Sequence, residues 1–166
     1  MQRVSPEKVE AAHRFVKRLG ATKPTSLVLY QGDSAKWYGN IADITMVDRY
    51  PVPWLPLANF SQHIHKTRLA TNAERPLIAV IQSFDWTAHQ SVLPGEENVR
   101  PPTARELRST TYSSLARGAN GISHLSYADM RLKERKYPEL WEAPKRGVGE
   151  VRRREALLAG VRVGWL

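Results

Sequence analysis

Pro76-Leu-Ile-Ala-Val-Ile-Gln82-Ser-Phe-Asp85-Trp86 decides how the rest of this 166-residue chain is read. Leu77 to Ile81 is an unbroken apolar run of strand length, opened by a proline and closed by amide, carboxylate and indole side chains. A run with β-branched residues and no polar alternation predicts a parallel strand buried on both faces. In sheets served by crossover helices, ligands bind at the carboxyl ends of the strands. Gln82, Asp85 and Trp86 are therefore the first candidates for a site.

Upstream of this strand, Ser5-Pro6-Glu7 reads as a helix start, with a capping serine, a first-turn proline and an acid that complements the dipole. Val9, Ala12, Phe15, Val16 and Leu19 follow at helical spacing, and Gly20 is placed to end the helix. Thr25 to Tyr30 predicts a short strand leading into polar Gln31-Gly32-Asp33. After a brief segment around Ser34 to Tyr38, Ile41 to Val47 predicts a second strand that terminates at Asp48 and Tyr50. Pro51, Pro53 and Pro56 bar its continuation. Leu57 to Thr71 is again amphipathic, with Leu57, Phe60, Ile64 and Leu69 as the expected core stripe.

Downstream, Ser83 to Pro102 is a connection far longer than the usual few residues, and such loops tend to be functional or mobile. Thr103, with Glu106 three positions on, forms a capping box for a helix over Ala104 to Arg117. Gly118-Ala-Asn-Gly121 releases a fourth strand, Ile122 to Tyr127, and a last helical stretch runs from about Pro138 to Ala159. One helix followed by four repeats of strand and crossover predicts a single α/β domain over 1–166, built on a parallel sheet with right-handed connections.

Composition narrows the function classes. With no cysteine, thiol nucleophiles, disulfide frameworks and zinc ribbons are excluded. His63 and His65 are two positions apart, on different faces of a helix, and no third ligand is suitably spaced; no metal and no cofactor is expected. Neither a signal peptide nor a membrane-spanning run is present, so a cytoplasmic protein is expected from the chain as written. The net charge of +9 raises nucleic-acid binding as a reading. Against it, much of the excess lies between Arg131 and Glu155, where nine basic residues face five acidic ones, and no known binding motif is present.

Several phrases in order carry a resemblance. They are Ala42-Asp43-Ile44 with Asp48-Arg49-Tyr50-Pro51, Arg75-Pro76 with Val80-Ile81-Gln82-Ser83-Phe84, and Pro102-Thr103 with Glu106-Leu107-Arg108. Gly118-Ala119-Asn120-Gly121-Ile122 with Ser126-Tyr127, and Tyr137-Pro138-Glu139-Leu140-Trp141, complete the series. Together they resemble the C-terminal half of a (β/α)8-barrel glycoside hydrolase of the broad retaining clan that includes β-galactosidases and cellulases. The resemblance implies a partial TIM barrel whose four strands correspond to strands five to eight, and a carbohydrate ligand.

The departures from that pattern are chemical. Members of the clan carry an acid/base glutamate after strand four, usually preceded by asparagine, and this chain contains no Asn-Glu pair. Their nucleophilic glutamate ends strand seven, where this chain has Gln82. Glycoside hydrolysis needs two carboxyl groups across the scissile bond. Asp33, Asp48, Asp85 and Asp129 are the acids at strand ends, and Asp48 is the best catalytic candidate because it alternates with Ile44 and Met46 on one strand face. In a complete barrel, Asp48, Tyr50, Gln82, Asp85, Trp86 and Tyr127 would line the sugar site, with Trp86 stacking on a ring. His124, inside the fourth strand, reads as a hydrogen-bonded interior residue, and Trp37, Trp54, Trp141 and Trp165 as core or interface material.

The expectation is a carbohydrate-active domain without hydrolytic activity by itself; a non-catalytic carbohydrate-binding or assembly module is the alternative. Four parallel strands leave two open edges and an interior face carrying residues such as Val28, Met46, Val80 and Ile122 or their neighbours. Three resolutions are expected, the first being favoured: the chain is a piece of a longer barrel that supplies the missing half, a homodimer closes a barrel from two halves, or a flatter open sheet covers itself with the terminal segments.

Overall fold

The computed structural model describes residues 4–89, 99–132 and 136–160. Its elements are α1 (Pro6–Arg18), β1 (Ser26–Leu29), α2 (Ala35–Tyr38), β2 (Ile44–Val47), α3 (Ala58–Ala70), β3 (Leu77–Gln82), α4 (Ala104–Ala116), β4 (Gly121–Leu125), α5 (Tyr127–Leu132), α6 (Pro138–Arg153) and α7 (Glu155–Gly160). Short 3-10 turns at Gly32–Ser34 and Trp86–His89 follow β1 and β3. The long connection expected after Ser83 therefore begins with local structure; its residues 90–98 lie outside the described residues, as does the segment 161–166.

The four strands form one parallel sheet in the order β1-β2-β3-β4. Val28, Met46, Ile78 and Gly121 stand at one level across it. Sequential order with parallel pairing means that every crossover has the same hand and returns its helix to the same face. On that face Val47, Leu77, Ala79 and Ile81 pack against Phe60 and Ile64 of α3, Leu107 of α4 and Ala143 of α6. Among the described residues, no helix is long and apolar enough to cross a membrane.

Local chemistry sets the element boundaries. Thr103 accepts the Glu106 N–H while the Glu106 carboxylate accepts the Thr103 N–H, the reciprocal cap expected for α4. That helix ends at Gly118, whose φ of 99° lies in the left-handed region open to glycine. Gly32 allows the loop after β1 to lie against α3, because an added Cβ would meet the His63 carbonyl oxygen at 2.4 Å. Its N–H donates to His63 Nδ1 at 2.9 Å. At the other end of α3, the Arg68 guanidinium donates to the carbonyls of Gly118, Asn72, Ala73 and Arg75. The lead-ins to β3 and β4 are thereby tied to one side chain.

Two expected packing assignments, those of Leu69 and Ile122, are corrected. Leu69 is 74% exposed, and the buried face of α3 runs through Phe60, Ser61, Ile64 and Thr67; five residues past Ile64, a helix has turned about 140° away from the sheet. Ile122 packs against the helix-side core, so Gly121, Ser123 and Leu125 are the β4 residues on the opposite face. The α1 stripe is amphipathic as expected, yet no residue of α1 is buried: Phe15 is 53% and Leu19 71% exposed.

Candidate functional site

Parallel pairing puts the carboxyl ends of all four strands on one rim. Asp48 leaves β2 with its N–H donated to the Leu29 carbonyl, which carries the β1–β2 pairing up to the rim. Its side chain is half-buried, and the carboxylate oxygen Oδ1 is enclosed with no hydrogen-bond partner among the described residues. Burial pushes the Asp48 carboxyl above the usual carboxylate range, partly offset by hydrogen bonding from the backbone and from the Tyr50 hydroxyl. Burial and then the Asp48 charge push the Tyr50 phenol up, so it is the neutral donor of this pair.

Next to that pair stands an aromatic cluster. The Tyr50 ring meets Phe84 edge-on at 5.0 Å between centroids and Trp86 at 6.2 Å, and Phe84 meets Trp86 at 5.1 Å. Trp54 leans on Trp86 at 5.6 Å with 42° between the planes. Trp86 Nε1 donates to the Val52 carbonyl at 2.8 Å, fixing the indole by its polar edge. Trp54 keeps 37% of its surface exposed, so it presents an aromatic face outward while its neighbours support it.

The loop that carries Trp54 is anchored from below. Gln82 is buried; its Oε1 accepts the Val52 N–H at 3.0 Å and its Nε2 donates to the Val52 carbonyl at 2.8 Å. Both Val52-Pro53 and Leu125-Ser126 are cis peptide bonds, and both lie at the rim. On the β1 side of the rim, Arg49 stacks over the Tyr30 ring at 4.5 Å and donates to Asn59 Oδ1 at 3.0 Å.

The residues singled out from the sequence thus divide into three groups. Asp48, Tyr50 and Trp86 come together at the ends of β2 and β3. Gln82 and Asp85 stand beneath them as buried supports: Asp85 is fully buried and accepts both the Thr87 N–H and the Thr87 hydroxyl. Tyr127 lies beyond β4, 65% exposed, with its ring 5.7 Å from Trp141. Of the other strand-end acids, Asp33 pairs with Lys66 at 2.9 Å and Asp129 is hydrogen-bonded to Ser126.

Trp54, expected as core or interface material, is 37% exposed beside Trp86. Its placement between Pro53 and Pro56 on a strand-end loop was the available signal, since such a loop runs on the surface. His124 lies within β4 as expected, sharing a 2.8 Å hydrogen bond with the buried Ser83 hydroxyl and lining a small cavity between β4, α4 and α6. Burial pulls its pKa down to about 4. Among the described residues, no group of three or more His, Asp or Glu side chains is placed to hold a metal ion. Compared with family models, curated proteins and solved structures, the chain gives no match to any of them.

Proposed function

We propose that this sheet is half of a (β/α)8 barrel of glycoside-hydrolase type, and that its strand-end rim binds saccharide without hydrolysing it. The observation that carries the reading is the half-buried Asp48 carboxylate, bonded to Tyr50, beside the Tyr50–Phe84–Trp86–Trp54 cluster. A sugar offers hydroxyl donors for a carboxylate and an apolar ring face for an indole, and this corner of the rim holds both. Trp54 is the platform, Trp86 its support, and Asp48 with Tyr50 the polar contacts. Tyr127 and Trp141 form a second aromatic pair beyond β4, with Arg131 and Lys145 over the Trp141 ring.

Hydrolysis would require a second carboxyl group at about 5 to 5.5 Å from the first for retention, or about 6.5 to 9.5 Å for inversion. The position where the resembling clan has its nucleophile holds Gln82, which is occupied with Val52. The Asp85 and Asp129 carboxylates hold Thr87 and Ser126. A half-buried carboxylate beside an aromatic cluster, with no glutamate at the end of β3, supports binding rather than hydrolysis.

The nucleic-acid reading finds little support in the distribution of charge. Within the basic stretch, Lys145 pairs with Glu142, Arg146 with Glu139, and Arg154 with Glu150, which also holds Arg108. Paired charges along a helix do not make a phosphate-tracking stripe.

The test is calorimetric titration with cello- and galacto-oligosaccharides, alongside an aryl-glycoside turnover assay. Binding that weakens at least tenfold in Trp54→Ala, with no turnover, is the expected result. Turnover, or binding indifferent to Trp54, would reject the assignment.

A further inference from the structure

We infer that two copies of this chain close on each other, β1 of each pairing with β4 of the other, to form an eight-stranded ring. The inference goes beyond the saccharide reading and does not depend on it.

The two edges are built for pairing. Ser26–Leu29 and Gly121–Leu125 contain no Asp, Glu, Lys, Arg or Pro, the residues by which natural sheets blunt an exposed edge. Because the sheet is parallel and its strands follow in sequence order, the edges lie on opposite sides and point the same way. A twofold axis along the strands then brings β1 to the partner's β4 in parallel, twice, and leaves no edge open. Among the described residues, the β1–β2 crossover contains only the single turn of α2, while α1, which precedes β1, and α6, which follows β4, would both stand at the seam between copies. Two copies supply the eight strands of the ring.

Part of the exposed apolar surface lies along this seam, although Leu69, Trp37 and Val148 are bare elsewhere and Val80, on the sheet face opposite the helices, is only 6% exposed. Phe15, Val16 and Leu19 of α1, the helix that leads into β1, are 53%, 40% and 71% exposed. On the sheet face opposite the helices, Val28 is 48%, Tyr30 58% and Leu125 36% exposed. With full side-chain areas of about 150 to 200 Å² and roughly half of that uncovered, these six offer on the order of 500 Å² of apolar surface. A standard interface takes about 800 Å² from each partner, about 56 to 65% of it apolar, which is the same quantity. The occupant has to present a parallel edge, an apolar sheet face and an amphipathic helix together, and a second copy presents all three.

Sedimentation equilibrium of the full chain, combined with cross-linking, tests this. Because the chain has no cysteine, Ser26→Cys and Ser123→Cys can be introduced singly on β1 and β4. A dimer mass is expected, with a short bis-maleimide joining the two variants when mixed and far less product from either alone. Val28→Lys, which places a charge inside the ring but in solvent in a single copy, should weaken association at least tenfold and leave the far-UV circular dichroism unchanged. A monomer, an open-ended aggregate, or cross-linking of like variants in preference to unlike would overturn the inference. None of those results would alter a saccharide titration of the same sample, so the two readings fail separately.

Discussion

Gln82 both accepts from and donates to the backbone of Val52, at 3.0 and 2.8 Å, so the last side chain of β3 is the fastener of the loop that presents Trp54. Gln82 is a buried amide whose two ends are both in use. A carboxylate cannot replace it in kind, because it would set a negative oxygen against the Val52 carbonyl.

Gln82→Glu is accordingly predicted to destabilise the fold by about 2 to 4 kcal/mol at neutral pH and to create no hydrolase. Buried beside a carbonyl, the new carboxyl should have its pKa raised above about 4.3, its unfolded value. Its protonated form can donate to Val52, so the variant comes closest to the parent at low pH and loses stability as pH rises through the raised pKa. Chemical denaturation of both proteins from pH 4 to pH 8 measures the difference.

A second pH effect belongs to the parent. The His124 pKa is lowered from 6.5 to about 4 by burial against Ser83 and the β4–α4–α6 cavity. A group depressed in this way contributes stability that is fully present above pH 6.5 and is lost as pH falls toward 4. The whole interval amounts to about 3 kcal/mol. The melting temperature should fall over that window, and His124→Gln, which keeps a hydrogen-bonding group but does not titrate, should flatten this component.

Much of this was legible in the sequence, and the reason is local. The apolar run of β3, the Thr103/Glu106 cap and the glycines closing α4 each state their element within a few residues. Four such elements in alternation leave a parallel sheet as the economical arrangement. Asp48, Tyr50 and Trp86 were legible as rim residues because a strand's end marks a place in the fold. Trp54 was not, since its exposure depends on a loop held by Gln82 from 30 residues away. Nor was Arg68, whose role comes from carbonyls on two other loops; helical periodicity carries no trace of either. Leu69 misled for the same reason: apolar character at an approximate helical interval does not say which side of the stripe the sheet lies on.

Arg68 gives the third prediction. Its guanidinium satisfies carbonyls at the starts of both β3 and β4, and burial lowers its pKa, so the charge is held in place by those acceptors. Arg68→Ala should cost about 2 to 3 kcal/mol through the lost charge-assisted bonds. Arg68→Lys should recover only part of it, because a single ammonium cannot reach the same spread of acceptors. Equilibrium urea unfolding of the three proteins ranks them.

At the rim, Asp48→Asn keeps the shape of the side chain and removes its charge. Because burial already disfavours that charge, folding stability should stay within about 1 kcal/mol of the parent or rise slightly, while oligosaccharide affinity falls about fivefold to tenfold. Thermal melts and calorimetric titrations of the same preparation separate the two effects.

The most direct measurement on the central claim is the indole N–H region of the NMR spectrum during titration with cello- and galacto-oligosaccharides. The account predicts that the Trp54 and Trp86 signals move together and saturate while Trp37, at a distance on α2, stays still, with the sugar recovered unhydrolysed. Signals of Trp54 and Trp86 that do not move at millimolar saccharide, or a sugar that is cleaved, would contradict it.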